Sequence, residues 1–114
     1  MHELSIAVSI VEIAQEESER LGSKVSAVHL KLGPLSGIVK EALLFSYDVA
    51  CQDTPLEGST LVILETPLVV FCPQCELERT LASAQSLCCF ECGTPTPDVL
   101  GGRELQLVGL EIEE

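Results

Sequence analysis

Apolar residues recur at helical spacing from Leu4 to Leu21 (LSIAVSIVEIAQEESERL). Leu4, Val8, Val11 and Ala14 form one row with Ile6, Ile10 and Ile13 beside it, while Glu12, Glu16, Glu17 and Glu19 lie largely elsewhere. That pattern predicts an amphipathic helix. Arg20 suits its last turn and Gly22 the left-handed residue just beyond. The period then falls to two. In KVSAVHLKL (residues 24–32), Val28, Leu30 and Leu32 share one face and Val25, Ala27, His29 and Lys31 the other, as in a half-buried strand. Gly33-Pro34-Leu35-Ser36-Gly37 is a turn by composition. Val39 to Gln52 returns to a helical period, with Ala42, Phe45 and Val49 on one row and Leu43, Tyr47 and Ala50 on the next. Thr54-Pro55-Leu56-Glu57-Gly58 ends it.

A strand from Thr60 to Glu65, continued after Pro67 to Phe71, leads into a cysteine-rich segment. The closing run ELQLVGLEIEE is a strand whose apolar phase slips: Leu105 and Leu107 are odd, Val108, Leu110 and Ile112 even. One extra residue near Val108-Gly109 produces that slip, so a β-bulge is expected there. The order helix, strand, helix, strand, cysteine segment, strand predicts an α+β domain, two helices packed on a three-stranded sheet. Residues 70–100 hold too few apolar side chains for a core of their own and need a metal staple. The expected organisation is residues 1–69 with 101–114 as one domain and 70–100 as an inserted, metal-stapled one.

Charge narrows the function. Against 18 Asp and Glu the chain has 6 Lys and Arg, a net −12, which repels phosphate backbones and anionic lipid. Nucleic acid is therefore not an expected partner. No apolar run reaches the ~20 residues of a membrane span, and the N-terminus lacks a cationic leader, so a cytoplasmic protein without membrane insertion is expected. Aromatic residues are 4% with no Trp, which removes the usual stacking platforms.

Six cysteines in such a chain favour metal binding over disulfides. Cys72-Pro73-Gln74-Cys75 and, thirteen residues on, Cys89-Phe90-Glu91-Cys92-Gly93 make a CxxC…CxxC pair. Two residues between cysteines let both sulfurs of a knuckle converge on one ion, and Gly93 suits the tight turn that aims amides at thiolates. Four thiolates suit tetrahedral Zn(II), with iron the competitor, and leave no position open for substrate. The expected site is structural zinc on Cys72, Cys75, Cys89 and Cys92. Cys88 reads as an unligated neighbour and Cys51 as a small buried residue.

The N-terminus offers a second chemistry. The Met1 α-amine and the amide nitrogen of His2 close a five-membered chelate ring, and that amide with the imidazole Nδ1 closes a six-membered one. Fused planar rings fit Ni(II) or Cu(II) and suit Zn(II) poorly, and Glu3 adds a carboxylate. The competing reading of MHE is a solvated terminal histidine. His29, on a strand beside Lys31, reads as a sheet-face histidine.

Met1-His2-Glu3-Leu4-Ser5, Leu32-Gly33-Pro34-Leu35-Ser36-Gly37, Thr54-Pro55-Leu56-Glu57-Gly58, the two knuckles and Gly102-Arg103-Glu104-Leu105 together resemble the HypA/HybF family of hydrogenase nickel-incorporation proteins. The resemblance covers essentially the whole chain. It implies that His2 ligates nickel with Glu3 beside it, that the four cysteines hold structural zinc, and that nickel is cargo rather than cofactor. It also implies a non-catalytic metallochaperone that works with a HypB-type GTPase and delivers nickel to the large subunit of [NiFe] hydrogenase, as a monomer or weak homodimer. Some members have a further histidine after the zinc segment; here Thr94-Pro95-Thr96-Pro97-Asp98 has none. The alternative is a rubredoxin-like electron-transfer protein with iron on the four sulfurs.

Overall fold

In the computed structural model, which describes residues 2–113, the order is α1 (Glu3–Leu21), β1 (Val25–Leu32), α2 (Lys40–Cys51), β2 (Thr60–Glu65), β3 (Leu68–Cys72), β4 (Leu77–Leu81), β5 (Asp98–Gly101) and β6 (Leu105–Ile112). Two three-stranded sheets form, ordered β2-β1-β6 and β4-β3-β5. In the first, β1 pairs parallel with β2 and antiparallel with β6. Parallel neighbours need a crossover, and α2 supplies it. The fold is α+β, with two helices, one mixed sheet, and a second sheet bearing the cysteines.

The core lies between the helices and the first sheet, built on Ile6, Ile10, Val11, Val28, Leu30, Leu43, Tyr47, Leu56 and Leu61. Helix α1 ends as its sequence predicts. Gly22 is left-handed at φ 66°, its amide donates to the Glu19 carbonyl, and the Ser23 amide donates to that of Ser18. The buried stripe of α1, however, is Ile6, Ala7, Ile10, Val11 and Ala14. Leu4, Val8 and Ile13, placed on apolar rows by the sequence, stay exposed. The small Ala7 and Ala14 permit close approach and centre the stripe, which leaves the larger flanking side chains outside. In α2 the row of Leu43 and Tyr47 is buried together with Cys51, while Phe45 is 66% exposed. Leu56 is fully buried, and its loop is tied back to the end of α2 by the Thr54 hydroxyl, which donates to the Cys51 carbonyl at 2.7 Å.

Both irregularities of the first sheet lie between β1 and β6. His29 faces Gly109 and Leu30 faces Leu107, so Val108 is an extra residue and the expected bulge is present. At the other end Val25 faces Ile112 and Ala27 faces Glu111, which makes Ser26 extra on β1. The shift at Ser26 turns Val25 into the core, where it is fully buried, instead of onto the face of His29 and Lys31 that strict alternation assigns it.

The two sheets meet where the chain leaves the first at Thr66-Pro67 and returns at Gly101-Gly102. The Gly33 amide donates to the Glu104 carbonyl at 2.8 Å, Leu35 to Gly102 at 2.7 Å and Thr66 to Leu32 at 2.9 Å. The Glu104 carboxylate accepts the Thr66 hydroxyl and the Gly102 amide, both at 2.8 Å. These bonds hold its pKa below the ordinary 4.5, the Thr66 hydroxyl most of all. A side chain at Gly33 would meet the Gly102 carbonyl oxygen at 2.2 Å, so the backbones approach as only glycine permits.

Candidate metal centres

The antiparallel pair β3–β4 carries the first knuckle in its turn: Cys72 ends β3 opposite Leu77, and Cys75 lies between. The second knuckle stands on the long connection from β4 to β5, where the Cys89 amide donates to the Thr94 carbonyl. Both knuckles close in the same way. The Glu76 amide donates to the Cys72 carbonyl at 2.8 Å, and the Gly93 amide to that of Cys89 at 2.9 Å. The residue after the second cysteine is left-handed in each, Gly93 at φ 75° and Glu76 at 56°. For Glu76 that conformation costs roughly 1–2 kcal/mol. The sequence marks the turn only at Gly93.

The four sulfurs of Cys72, Cys75, Cys89 and Cys92 lie within 4.8 Å of one another, with Cys72 and Cys92 at 3.5 Å. Zinc–sulfur bonds of about 2.3 Å at tetrahedral angles separate sulfurs by about 3.8 Å, so the donor set fits a tetrahedral ion. A disulfide needs about 2.05 Å. Cys88 is not among these sulfurs; its backbone bridges to Pro95. Cys51 is buried in the helical core, far in sequence from the knuckles.

The sulfurs are electrostatically unequal. Amides of Cys92 and then Glu91 bring Cys89 down to about 6 against the burial that opposes them. The Thr94 hydroxyl, 3.1 Å from the Cys92 sulfur, lowers Cys92 as well. At Cys72 the Cys75 amide, 3.3 Å away, pulls downward but is outweighed by burial and the neighbouring sulfurs, and the pKa rises to about 11. Amides aimed at sulfur favour the thiolate, the form a metal binds.

Sequence reasoning missed Arg79. In β4 it faces Val70 of β3, on the sheet face that also carries Cys72, and its guanidinium carbon stands 5.1 Å from the ring centre of Phe90, inside the second knuckle. Its Nε is buried without a hydrogen-bonding partner of its own. The sulfurs of Cys75 and then Cys89 raise its pKa. The residues LERTL carry a strand alternation that would have put Arg79 beside Cys72, had the knuckle been read as a hairpin.

The N-terminal candidates lie on the other unit. His2 is the exposed N-cap residue of α1, extended at φ −86° and ψ 135°, and its side chain makes no capping hydrogen bond. Glu3 begins the helix. Its Oε2 accepts the amide of Val39, the N-cap of α2, at 3.1 Å, and that bond leads in holding its pKa low. Met1 lies outside the described residues. His29 pairs with Glu111 at 2.9 Å across the sheet. Among the described residues no helix is long and apolar enough to cross a membrane.

Residues 1–112 match the family described as "Hydrogenase/urease nickel incorporation, metallochaperone, hypA". The chain is 48% identical over 112 residues to a hydrogenase maturation factor HypA of Chloroflexus aurantiacus, covering 97% of this chain and 98% of that one. It is 46% identical over 115 residues to the HypA of a Roseiflexus species, covering 100% and 94%. The solution structure of the Ni metallochaperone HypA from Helicobacter pylori shares the fold, with a TM-score of 0.65 at 19% identity, over 98% of this chain and 97% of that one. A second HypA solution structure aligns with a TM-score of 0.71, also at 19% identity, over 99% and 97%.

Proposed function

The chain belongs to the HypA family of nickel metallochaperones for hydrogenase maturation, and on that premise we propose how its residues divide the work. As a member of that family it binds and delivers an ion rather than catalysing a reaction. Membership displaces the electron-transfer reading of the cysteines. Residues 1–69 with 101–114 form the nickel-binding domain, and 70–100 form an inserted domain that Zn(II) on Cys72, Cys75, Cys89 and Cys92 holds closed. Ni(II) is cargo, taken by the Met1 amine with the amide and imidazole of His2, and Glu3 stands beside it. The observation that carries this reading is His2 itself, exposed at the start of α1 with its imidazole uncommitted to the helix cap.

A donor set of this kind suits delivery. A terminus and one imidazole can be dismantled by a competing partner, whereas four thiolates leave no entry. The recipient is the large subunit of [NiFe] hydrogenase, reached with a HypB-type GTPase in the cytoplasm, and the chain acts as a monomer or weak homodimer.

Nickel titration of three untagged proteins tests the assignment: native, His2→Ala, and native with a few residues added before Met1. His2→Ala should lose tight nickel while the cysteine site stays loaded. The extension should weaken binding by a few kcal/mol, because displacing the amine removes one of two linked chelate rings. Equal binding by the extended protein would exclude the amine, and normal binding by His2→Ala would overturn the nickel site.

A further inference from the structure

Zinc held by four thiolates carries two excess negative charges, in a chain already at −12. Part-buried charge of this kind needs compensation, which amides of the knuckles supply only as dipoles. The side chain of Arg79 lies on the same face of the second sheet as that of Cys72, because Cys72 opposes Leu77 and Val70 opposes Arg79 in register. Phe90, the residue after Cys89, closes over the guanidinium at 5.1 Å. Between ring and sheet the Nε is out of solvent and has no oxygen to donate to. Cys72 shares this face and Phe90 adjoins Cys89, so knuckle sulfurs border the guanidinium; sulfur is a weak acceptor as a thiol and a strong one as a thiolate.

Resting on the zinc reading of the four cysteines, we propose that Arg79 is a positioning residue of the metal centre. Its fixed positive charge, clamped by Phe90, compensates the tetrathiolate and sets how firmly the ion is held. It ligates nothing. The arrangement couples the two knuckles, since the cation comes from the strand after the first and its aromatic lid from within the second.

Three variants separate charge from packing: Arg79→Lys keeps charge, Arg79→Gln keeps polarity, and Arg79→Met keeps bulk. Metal analysis of native protein comes first, and absence of stoichiometric zinc there would sink the zinc reading rather than this one. Zinc loss to a competing chromophoric chelator is then timed at pH 7. Arg79→Gln and Arg79→Met should release zinc on the order of tenfold faster, the scale of one charge-assisted hydrogen bond. Arg79→Lys should stay near native. Iron exchanged into the same site gives a second readout, the midpoint potential, which follows the charge beside the sulfurs. Removing a nearby cation disfavours the more negative ferrous form, so Gln and Met variants should shift the midpoint potential downward together, and Lys should restore it. If Arg79→Met fails to load, Gln against Lys makes the same comparison. Native-like release and potential in Arg79→Gln, or Lys behaving like Gln, would overturn the proposal.

Discussion

Adding one methyl group at Gly33 should loosen the joint between the two sheets. The new Cβ of Gly33→Ala would stand 2.2 Å from the Gly102 carbonyl oxygen and 2.7 Å from a Glu104 carboxylate oxygen, against ordinary contact at 3.4 Å or more. Gly102 is itself closely backed, since a Cβ there would sit 3.1 Å from Leu68. The strand must therefore open by about an ångström. Overpacking of this kind costs about 1–3 kcal/mol. The Gly33–Glu104 and Leu35–Gly102 hydrogen bonds, at 2.8 and 2.7 Å, stretch with it and add about 1 kcal/mol each. The total, about 3–5 kcal/mol, is a large share of a typical stability of about 5–15 kcal/mol. For a chain of this size it lowers the melting temperature on the order of 10–20 °C. Thermal unfolding by circular dichroism at 222 nm on zinc-loaded protein measures it. Gly37→Ala is the control: φ is 81° with nothing within 4 Å, so only the roughly 1–2 kcal/mol of left-handed backbone is lost. If Gly33→Ala melts no lower than Gly37→Ala, close approach at this joint is not what the glycine provides.

Removing zinc should unfold residues from about Phe71 to Leu100 while the helices persist. The far-UV helical signal should survive treatment with a chelator and amide exchange should rise only in that segment, whereas cooperative loss of α1 and α2 would contradict a two-part design. Nickel affinity should fall from pH 8 to pH 6, because protons compete with the metal for the imidazole and α-amine nitrogens; flat affinity across that range would exclude both donors. The depressed carboxyl of Glu104 contributes stability that is present above its unfolded value near 4.5 and lost as pH falls through its folded one. Urea midpoints of native protein should thus exceed those of Glu104→Gln at pH 7 and converge with them toward pH 3, and a gap unchanged with pH would show that charge on Glu104 is immaterial.

Much of the fold was legible because periodicity survives wherever one face of an element is buried. The ends of α1 and α2, the strand at Thr60–Glu65 and even the bulge at Val108 follow from local pattern. What failed did so for tertiary reasons. Leu4 and Val8 match the helical period as well as Ile6 and Ile10, and only the neighbour against the Ala7–Ala14 stripe decides which pair is covered. Val25 changed faces through a bulge at Ser26 that no apolar slip announces, since Ser26 is polar on either face. The second sheet was invisible as a sheet: β4 and β5 are short and largely exposed, and their pairing with β3 is organised around sulfurs rather than around a core.

The site divides along the same line. Cysteine spacing is a local constraint, so the four-sulfur cluster could be read directly; the role of His2 is a proposal that rests on its chelate chemistry. Arg79 acts across a strand pair, and Glu76 takes its left-handed turn without the glycine that usually marks one. Glu3 shows how local and tertiary roles coincide. Its carboxylate lies next to His2, where a nickel donor is expected, yet it also receives the Val39 amide and so joins the N-terminus of α1 to that of α2. Both helices are seated on the same buried core. On the proposed reading, strain placed on Glu3 by a cation at His2 would pass to the start of α2, because the residue that follows the proposed cargo site also ties the two helices together.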